Sequence, residues 1–314
     1  MTFPFIKLRL TFRALQDMNF PLYAGSTLRG IFGKSLRRVS CLARRADCAG
    51  CGVTATCPYA VVFENGHLSN GGDEVPNPYV IEPPRIGTKN VKQGDCFAFH
   101  TLLFGQAVEK MSYVLLAWSK TGNMGFTKER TQARLIRVEQ VLPGGEMRLL
   151  HDFENESAET VAAVLQTELP APVETAAIKI RLETPLRIHH DGHPVVPEKL
   201  TARDFLIALI RRQQNMAKHH VADFPLIDFD ALRPAIDGAE ITDAALRWFD
   251  WARYSSRQKS RIALGGVVGE FTLRGNLTEL TPYLIAGQSF HVGKSAVLGM
   301  GKYKIDQERK QNGL

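Results

Sequence analysis

The sequence predicts an α+β protein of two βαββαβ units in tandem, and three observations lead there. Its 314 residues suffice for two domains of about 150, each with its own core. The chain opens with an alternating strand, a turn and a basic helix, the order in which a ferredoxin-like (RRM-like) unit begins. A helix, glycine turn and basic strand at 106–141 then anticipates a helix, glycine loop and Lys302-containing strand near the end, as two copies of one fold would. We therefore expect a first ferredoxin-like domain over 1–152, a linker at 153–175 and a second ferredoxin-like domain over 176–314. The first carries a Cys-rich insertion at 41–57.

Composition bounds the function without naming it. Apolar residues at 44% and charged residues at 23% describe an ordinary globular chain. No apolar run approaches the roughly 20 residues of a membrane helix, and MTFPFIKLRL alternates where a signal peptide would not. A cytoplasmic protein with no membrane partner is the expectation. A net charge of +7 and a pI near 9.2 favour a polyanionic partner through counterion release. Many basic proteins nevertheless bind no nucleic acid.

Taken in order, residues 5–13, FIKLRLTFR, have the period-2 pattern of a half-buried strand with a positive outer face. Pro21 and Gly25 punctuate it, and Ser26 is a candidate N-cap. Leu28, Ile31, Phe32, Leu36 and Val39 follow at helical spacing, with Arg29, Lys34, Arg37 and Arg38 elsewhere on the helix. Cys41, Cys48, Cys51 and Cys57 come next, spaced six, two and five. Disulfides are rare in the cytosol, and four thiolates around one CxxC can build a tetrahedral structural zinc site. Free cysteines are the plainer alternative, and redox or iron–sulfur chemistry a third. Arg44 and Arg45 lie within this segment, whereas Cys96 stands apart as a small buried hydrophobe.

Residues 65–95 read as a long surface connection in which NPYVIEPP forms an extended edge, because its prolines forbid central pairing. Strands at 95–104 and 131–141 enclose a helix at 106–120. The acidic, Ala/Pro/Glu-rich 153–175 reads as a short helix and linker. In the second half we expect a strand at 178–188, an Asp-Gly hairpin in HHDGHP at 189–194 and an amphipathic helix at 201–220 opened by Thr201. The three hairpin histidines allow a metal site or a base, or simply an exposed turn. A second helical region at 242–253 leads to the basic 253–261, then a strand punctuated by Gly265 and Gly266, then a helix at 280–288.

The densest functional signal is HVGKSAVLGMGKY, His291 to Tyr303. Gly293, Gly299 and Gly301 surround a short apolar run, with Lys294 and Lys302 among them. Glycine lets backbone approach a ligand, and lysine supplies charge for a phosphate chain. Gly293-Lys294-Ser295 ends like a P-loop, but that motif needs glycine where Gln288 stands and a nucleotide fold to follow it.

This loop resembles the RAMP superfamily of CRISPR-associated RNA-binding proteins, and within it the CRISPR repeat-cleaving endoribonucleases, the Cas-six family. The family's loop reads glycine, hydrophobic, glycine, five residues, glycine, hydrophobic, glycine; His291 replaces the first glycine and Gly293, Gly299 and Gly301 fill the rest. LYAGSTLRGIFGKSLRR, CPYAVVFE, GDCFAFHTLLFG, TPLRI and YSSRQKSRIALGGVVGE strengthen the likeness by their order, over about residues 3 to 305.

The resemblance implies metal-independent cleavage of a CRISPR repeat RNA. The ribose 2′-OH attacks the adjacent phosphate, leaving a 2′,3′-cyclic phosphate and a 5′-OH, and the product crRNA is retained. No catalytic cofactor is implied. Such a step needs an in-line sugar, removal of the 2′ proton, charge on the phosphate oxygens and a donor to the leaving oxygen. In the family a histidine on or before the first helix is common, with a tyrosine or lysine nearby, but residues 20–40 here contain none. The candidates are Tyr23, Arg29, Lys34, Arg37 and Arg38. Arginine stays protonated, so Arg37 or Arg38 would brace the 2′ oxygen or the phosphorane. Tyr23 would relay a proton, slowly at an ordinary pKa. His291 is either a base or RNA contact, or a packed residue that orders the loop; His100 could face RNA or the core.

For RNA binding the candidates are Lys294 and Lys302 on the backbone of Gly293, Gly299 and Gly301, with Arg257 and Lys259 on phosphates and Arg44 and Arg45 on the RNA backbone. The expected ligand is a repeat stem-loop gripped near its base. The family likeness adds the other subunits of a CRISPR effector complex as partners, with the crRNA 3′ end held here. One rival is a non-catalytic crRNA-binding subunit of such a complex. The other is a zinc-stabilised small-molecule enzyme or an unrelated basic binding protein.

Overall fold

The computed structural model describes residues 2–45, 47–68, 75–84, 90–127, 129–158, 163–221, 226–255 and 260–306. It forms two compact units, residues 2–167 with 215–224 and residues 168–214 with 225–314.

The first unit contains β1 (Thr2–Ala14), β2 (Met18–Asn19), α1 (Gly25–Ser40), α2 (Pro58–Val62), β3 (Tyr79–Glu82), β4 (Asn90–Val91) and β5 (Cys96–Phe104). It continues with α3 (Met111–Met124), β6 (Ala133–Val141), β7 (Met147–Asp152) and β8 (Leu165–Glu168). Its main sheet runs β3-β5-β1-β6-β7, with β8 also on β1, while β2 and β4 form a separate ribbon. Alternation in β1 works as the sequence predicts: Ile6, Leu8, Leu10 and Phe12 are wholly buried. Against that face Phe32 of α1 stacks on Trp118 of α3 at 4.8 Å, and Trp118 meets Phe99 edge-on at 4.7 Å. Ser35 of α1 donates to the Ala117 carbonyl at 2.7 Å, fixing the two helices against each other.

The outer face of β1 is basic in sequence but paired in the structure. Lys7 meets Glu82 at 2.9 Å, Arg9 meets Glu139 at 3.1 Å and Arg13 meets Glu154 at 2.5 Å. Glu139 comes from the neighbouring strand β6, Glu82 from β3 and Glu154 from the turn after β7, and the sequence of β1 reveals none of them.

The second unit contains β9 (Ala177–Leu186), β10 (His189–His190), β11 (His193–Pro194), most of α4 (Ala202–His220), α5 (Phe229–Asp237) and β12 (Glu240–Phe249). Then come β13 (Ala252–Ser255), β14 (Ser260–Ala263), β15 (Gly266–Arg274), α6 (Thr281–Phe290) and β16 (Tyr303–Asp306). Its four-stranded sheet runs β12-β15-β9-β16. The second, third, first and fourth strands of a strand–helix–strand–strand–helix–strand series therefore lie side by side, as in β3-β5-β1-β6. Ile180 and Leu182 of β9 pack with Phe205 and Leu209 of α4, Phe271 of β15 and Tyr303 of β16. Thr201 and Asp204 cap α4 reciprocally: the Thr201 hydroxyl accepts the Asp204 N–H at 3.1 Å, and the Asp204 carboxylate accepts the Thr201 N–H at 3.2 Å.

Several local expectations need correction. The helix expected at 242–253 is instead β12 and the start of β13. Its run Ala244-Ala245-Leu246-Arg247 favours a helix, but Ile241 and Trp248 pair with Leu273 and Val267 of β15, and sheet packing overrides propensity. Helix α5 carries Pro234 in its interior, which hides it from pattern reading; the Asp228 carboxylate starts it by accepting the Asp230 and Ala231 N–H groups at 3.0 Å. Segment 153–175, expected as a short helix and linker, includes strand β8. Helix α1 begins at Gly25 with Ala24 as N-cap, so Ser26 lies inside it, and Cys96 is exposed. Strand β3 is the edge strand that NPYVIEPP predicts, yet all four of its residues are buried.

Candidate functional site

In the first unit, Tyr23 is 3% exposed and lies two residues before the start of α1. The cations of α1 divide between two stripes, each with four-residue spacing. Arg29 and Arg37 face α2: the Arg29 guanidinium lies 4.4 Å from the Phe63 ring centroid and that of Arg37 lies 5.5 Å from Tyr59. Phe63 sits so close to Gly33, midway along this stripe, that a Cβ there would lie 2.2 Å from the ring. Lys34 and Arg38 occupy the neighbouring stripe and are exposed. Cation–π contacts are worth about 0.5–2 kcal/mol, so Arg29 and Arg37 are held against α2 while Lys34 and Arg38 reach solvent. Burial pushes the Tyr79 hydroxyl up to about 12, with the charge of Arg29 opposing the rise. Tyr79 thus stays protonated at neutral pH. His100 faces a carboxylate, with Nδ1 3.5 Å from Glu82.

The cysteine segment links the two helices. Cys41 caps the C-terminus of α1 and Cys57 the N-terminus of α2, while the Cys51 N–H donates to the Cys48 carbonyl at 3.2 Å. All four thiols are half-buried and unbridged. Burial, and next the charge of Glu64, push the Cys48 thiol up. Among the described residues no three His, Cys, Asp or Glu side chains converge on a metal position. Arg44 and Arg45 are exposed, and Arg45 donates to the Ala49 carbonyl at 3.2 Å.

In the second unit the glycine-rich loop is fastened by its backbone to the end of β9. The Lys294 N–H donates to the Arg187 carbonyl at 2.7 Å, Gly301 to Pro185 at 2.9 Å and Val292 to Gly301 at 2.9 Å. Thr184 adds a double latch: its hydroxyl donates to the Gly299 carbonyl at 2.7 Å and accepts the Lys302 N–H at 2.8 Å. Two glycines are needed for this approach. Gly293 has φ +80 and a Cβ there would lie 2.4 Å from the Arg187 carbonyl; at Gly301, φ +70, it would lie 1.8 Å from that of Val292. The loop thereby leaves Lys294 exposed above an anchored backbone. The Lys302 ammonium pairs with Glu183 at 3.2 Å. Arg257 and Lys259 lie outside the described residues.

His291 is fully buried and its Nδ1 lies 3.0 Å from the Met300 carbonyl, which can only accept, so Nδ1 carries the proton. It also has φ +63 and ψ 171, a conformation nearly confined to glycine. In this placement the His291 ring is packed inside the protein beside the loop. Residues that sequence reading passed over are Thr184, Pro185 and Glu183 beneath the loop, and Tyr59 and Phe63 against α1. For all but Glu183 the only signal was that TPLRI and CPYAVVFE belong to the family-like stretches.

A substitution pair separates packing from catalysis at His291. His291→Ala keeps the strained backbone and loses the bond and the packing, so the second unit should lose roughly 2–4 kcal/mol in denaturant unfolding. His291→Gly relieves strain of about 1–3 kcal/mol and should lose less than half as much, with its RNA-cleavage rate within about threefold of the parent's. Loss of cleavage in a stable His291→Gly protein would favour the catalytic reading.

Comparison with known proteins now places the chain. Residues 3–163 match the family model AF_1859_N, N-terminal domain, and residues 180–303 match CRISPR-associated endoribonuclease Cas6. No curated protein matches the sequence. Among solved structures, Thermus thermophilus Cas6 (TTHB231) in its product complex is 18% identical with TM-score 0.59, over 96% of this chain and 99% of that one. A partial Cas6-RT-Cas1–Cas2 complex is 16% identical with TM-score 0.58, over 99% of this chain and 47% of that one. A Cas6-related protein from Pyrococcus furiosus is 11% identical with TM-score 0.51, over 97% of this chain and 100% of that one. At these identities the structural likeness is one of fold, a mixed α/β chain with antiparallel sheets. The second family match contains the whole anchored glycine loop, and with the first it spans nearly the full sequence. Residues 180–303 belong to the Cas6 family of CRISPR-associated endoribonucleases, and residues 3–163 to that of the AF_1859_N N-terminal domain.

Proposed function

We propose that this protein processes CRISPR precursor RNA, cutting within the repeat without a metal ion and keeping the product. The observation that carries the reading is the glycine loop within the Cas6-matching region, its backbone latched to β9 and Lys294 exposed above it. In the step, the ribose 2′-oxygen forms a bond to the adjacent phosphorus as its proton departs. The bond from phosphorus to the 5′-oxygen breaks, and that oxygen gains a proton. The products are a 2′,3′-cyclic phosphate and a 5′-OH. Lys34 and Arg38 suit the charge that builds on the phosphate oxygens, since α2 leaves them exposed. Tyr23, beside the start of α1, would pass the proton. Arg29 and Arg37 act by holding α1 on Phe63 and Tyr59. With no histidine in the first helix, geometry supplies much of the rate.

The same reading makes each unit a ferredoxin-like domain, since both share one strand order. It also makes a repeat stem-loop and other CRISPR-associated subunits the partners. Cas6 product complexes and a Cas6-RT-Cas1–Cas2 complex among the structural neighbours support that choice. No helix among the described residues is long and apolar enough to cross a membrane. A non-cleaving crRNA holder is the second reading, favoured by the absence of histidine from residues 20–40.

The deciding assay incubates the protein with its own repeat RNA in EDTA, beside the same RNA carrying one 2′-deoxy ribose at the cut. Cleavage of the first and survival of the second is the expected result. Lys34→Ala or Arg38→Ala should then slow cleavage by about 10–1,000-fold at saturating protein. Tight binding with both RNAs intact would leave the RNA-holding reading.

For the cysteines we propose a structural zinc that staples α1 to α2, with Cys41, Cys48, Cys51 and Cys57 as ligands drawn together on binding. Elemental analysis should find about one zinc per chain, lost in Cys48→Ser/Cys51→Ser together with stability of the first unit. Metal-free protein of equal stability would make them free thiols.

A further inference from the structure

Helices α1 and α3 pack on one face of the first unit's main sheet, and neither contains an aspartate or a glutamate. They run antiparallel: Ser35 meets Ala117, while Phe32, three residues earlier, meets Trp118, one residue later. The Ser35–Ala117 bond marks the side that each helix turns toward the other. With about 100° per residue, Arg38 and Lys34 lie about 60° and 100° beyond Ser35, away from the buried Phe32. Tyr113, Lys120 and Leu116 lie about 40°, 60° and 100° beyond Ala117, away from the buried Trp118. The solvent-facing rims of the two helices are therefore neighbours across the crossing. Antiparallel packing brings Tyr113, about one turn before Ala117, level with Arg38, about one turn after Ser35.

This rim combines cations with an open aromatic ring. Tyr113 and Leu116 are each 44% exposed, although Val114, Ala117 and Trp118 beside them are wholly buried. Lys34, Arg38 and Lys120 are exposed, and among the described residues none of the three meets a carboxylate. Glu109, two residues before α3, lies 4.0 Å from Lys110. The sheet of the same unit is arranged differently, since Lys7, Arg9, Arg13 and Arg137 each pair with an acid. Three cations and a flat ring with no acid among them complement a polyanion that also offers flat faces. An RNA strand with unpaired bases is such a ligand, whereas a duplex stem hides its base faces and would leave the ring unused.

We propose that this rim is a track for unpaired nucleotides of the RNA, in which Tyr113 stacks a base beside the phosphate held by Arg38 and Lys34, and Lys120 takes a further phosphate. The proposal rests on the RNA-processing reading. It extends the substrate from a stem-loop to a stem-loop with unpaired nucleotides next to the cut. Stacking accepts any base, so Tyr113 adds affinity and fixes the position of the strand without selecting its sequence.

The test measures dissociation constants for an uncleavable 2′-deoxy repeat RNA, and for its stem-loop trimmed of unpaired nucleotides, with the full chain, Tyr113→Ala, Tyr113→Phe and Lys120→Ala. Tyr113→Ala should weaken binding of the untrimmed RNA by about 5–100-fold and of the trimmed stem-loop by about twofold or less. Tyr113→Phe keeps the ring and should recover most of the loss. Lys120→Ala should reduce the slope of log affinity against log salt by about one. A 2-aminopurine base beside the cut gives a second readout, quenched on binding to the full chain and left bright by Tyr113→Ala. Alanine suits an exposed helix position, and thermal unfolding checks that the variant keeps the parent's stability. A Tyr113→Ala chain that binds the untrimmed RNA as tightly as the parent, or that weakens both RNAs equally, would overturn the proposal. Unchanged RNA binding by a Tyr113→Ala chain that no longer joins other CRISPR-associated subunits would make the rim a protein contact instead. Failure of the unaltered chain to bind either RNA would bring down the RNA-processing reading, and this track with it.

Discussion

A short set of backbone hydrogen bonds between the glycine loop and the last residues of β9 is the constraint on which the second unit depends. The carbonyls of Pro185 and Arg187 would end a strand unpaired, and the loop's N–H groups at Gly301 and Lys294 satisfy them. Only glycine permits the approach at positions 293 and 301. The pairing also explains the sequence beneath the loop: Thr184 latches Gly299 and Lys302, and Tyr303 starts β16 with its hydroxyl on the Leu284 carbonyl of α6. A loop fixed this way presents its lysine with little ordering left to do on binding.

Basic residues in this chain fall into two populations that net charge does not separate. Lys7, Arg9, Arg13 and Lys302 sit against carboxylates, and Arg29 and Arg37 against aromatic rings. Exposed ion pairs contribute little to stability, but they cancel the field that a polyanion would follow. Lys34 and Arg38 lie exposed, and Arg187 near the loop has no carboxylate partner among the described residues. The net charge of +7 therefore understates how unevenly positive potential is distributed.

Much of the fold was legible because strands and helices announce themselves by period. The alternation of β1 and β9, the Asp-Gly hairpin and the Thr201 cap all reappear in the structure. What failed did so where tertiary pairing outranks local preference. TDAALRWF looks helical and is a strand because β15 offers it an edge, and Pro234 conceals a real helix. The glycine loop was legible as a binding element, since no core requires so many glycines beside lysines. Its anchors were not, because a carbonyl acceptor such as Pro185 leaves no mark in side-chain pattern. Nor could sequence tell Arg37 from Arg38, whose difference is which one faces Tyr59.

The central claim is that RNA lies on the latched loop. Zero-length ultraviolet crosslinking of repeat RNA to the full chain, followed by peptide mapping, tests it most directly. The account predicts crosslinked peptides from 291–303. Crosslinks confined to other parts of the second unit, with these peptides recovered unmodified at saturating RNA, would contradict it.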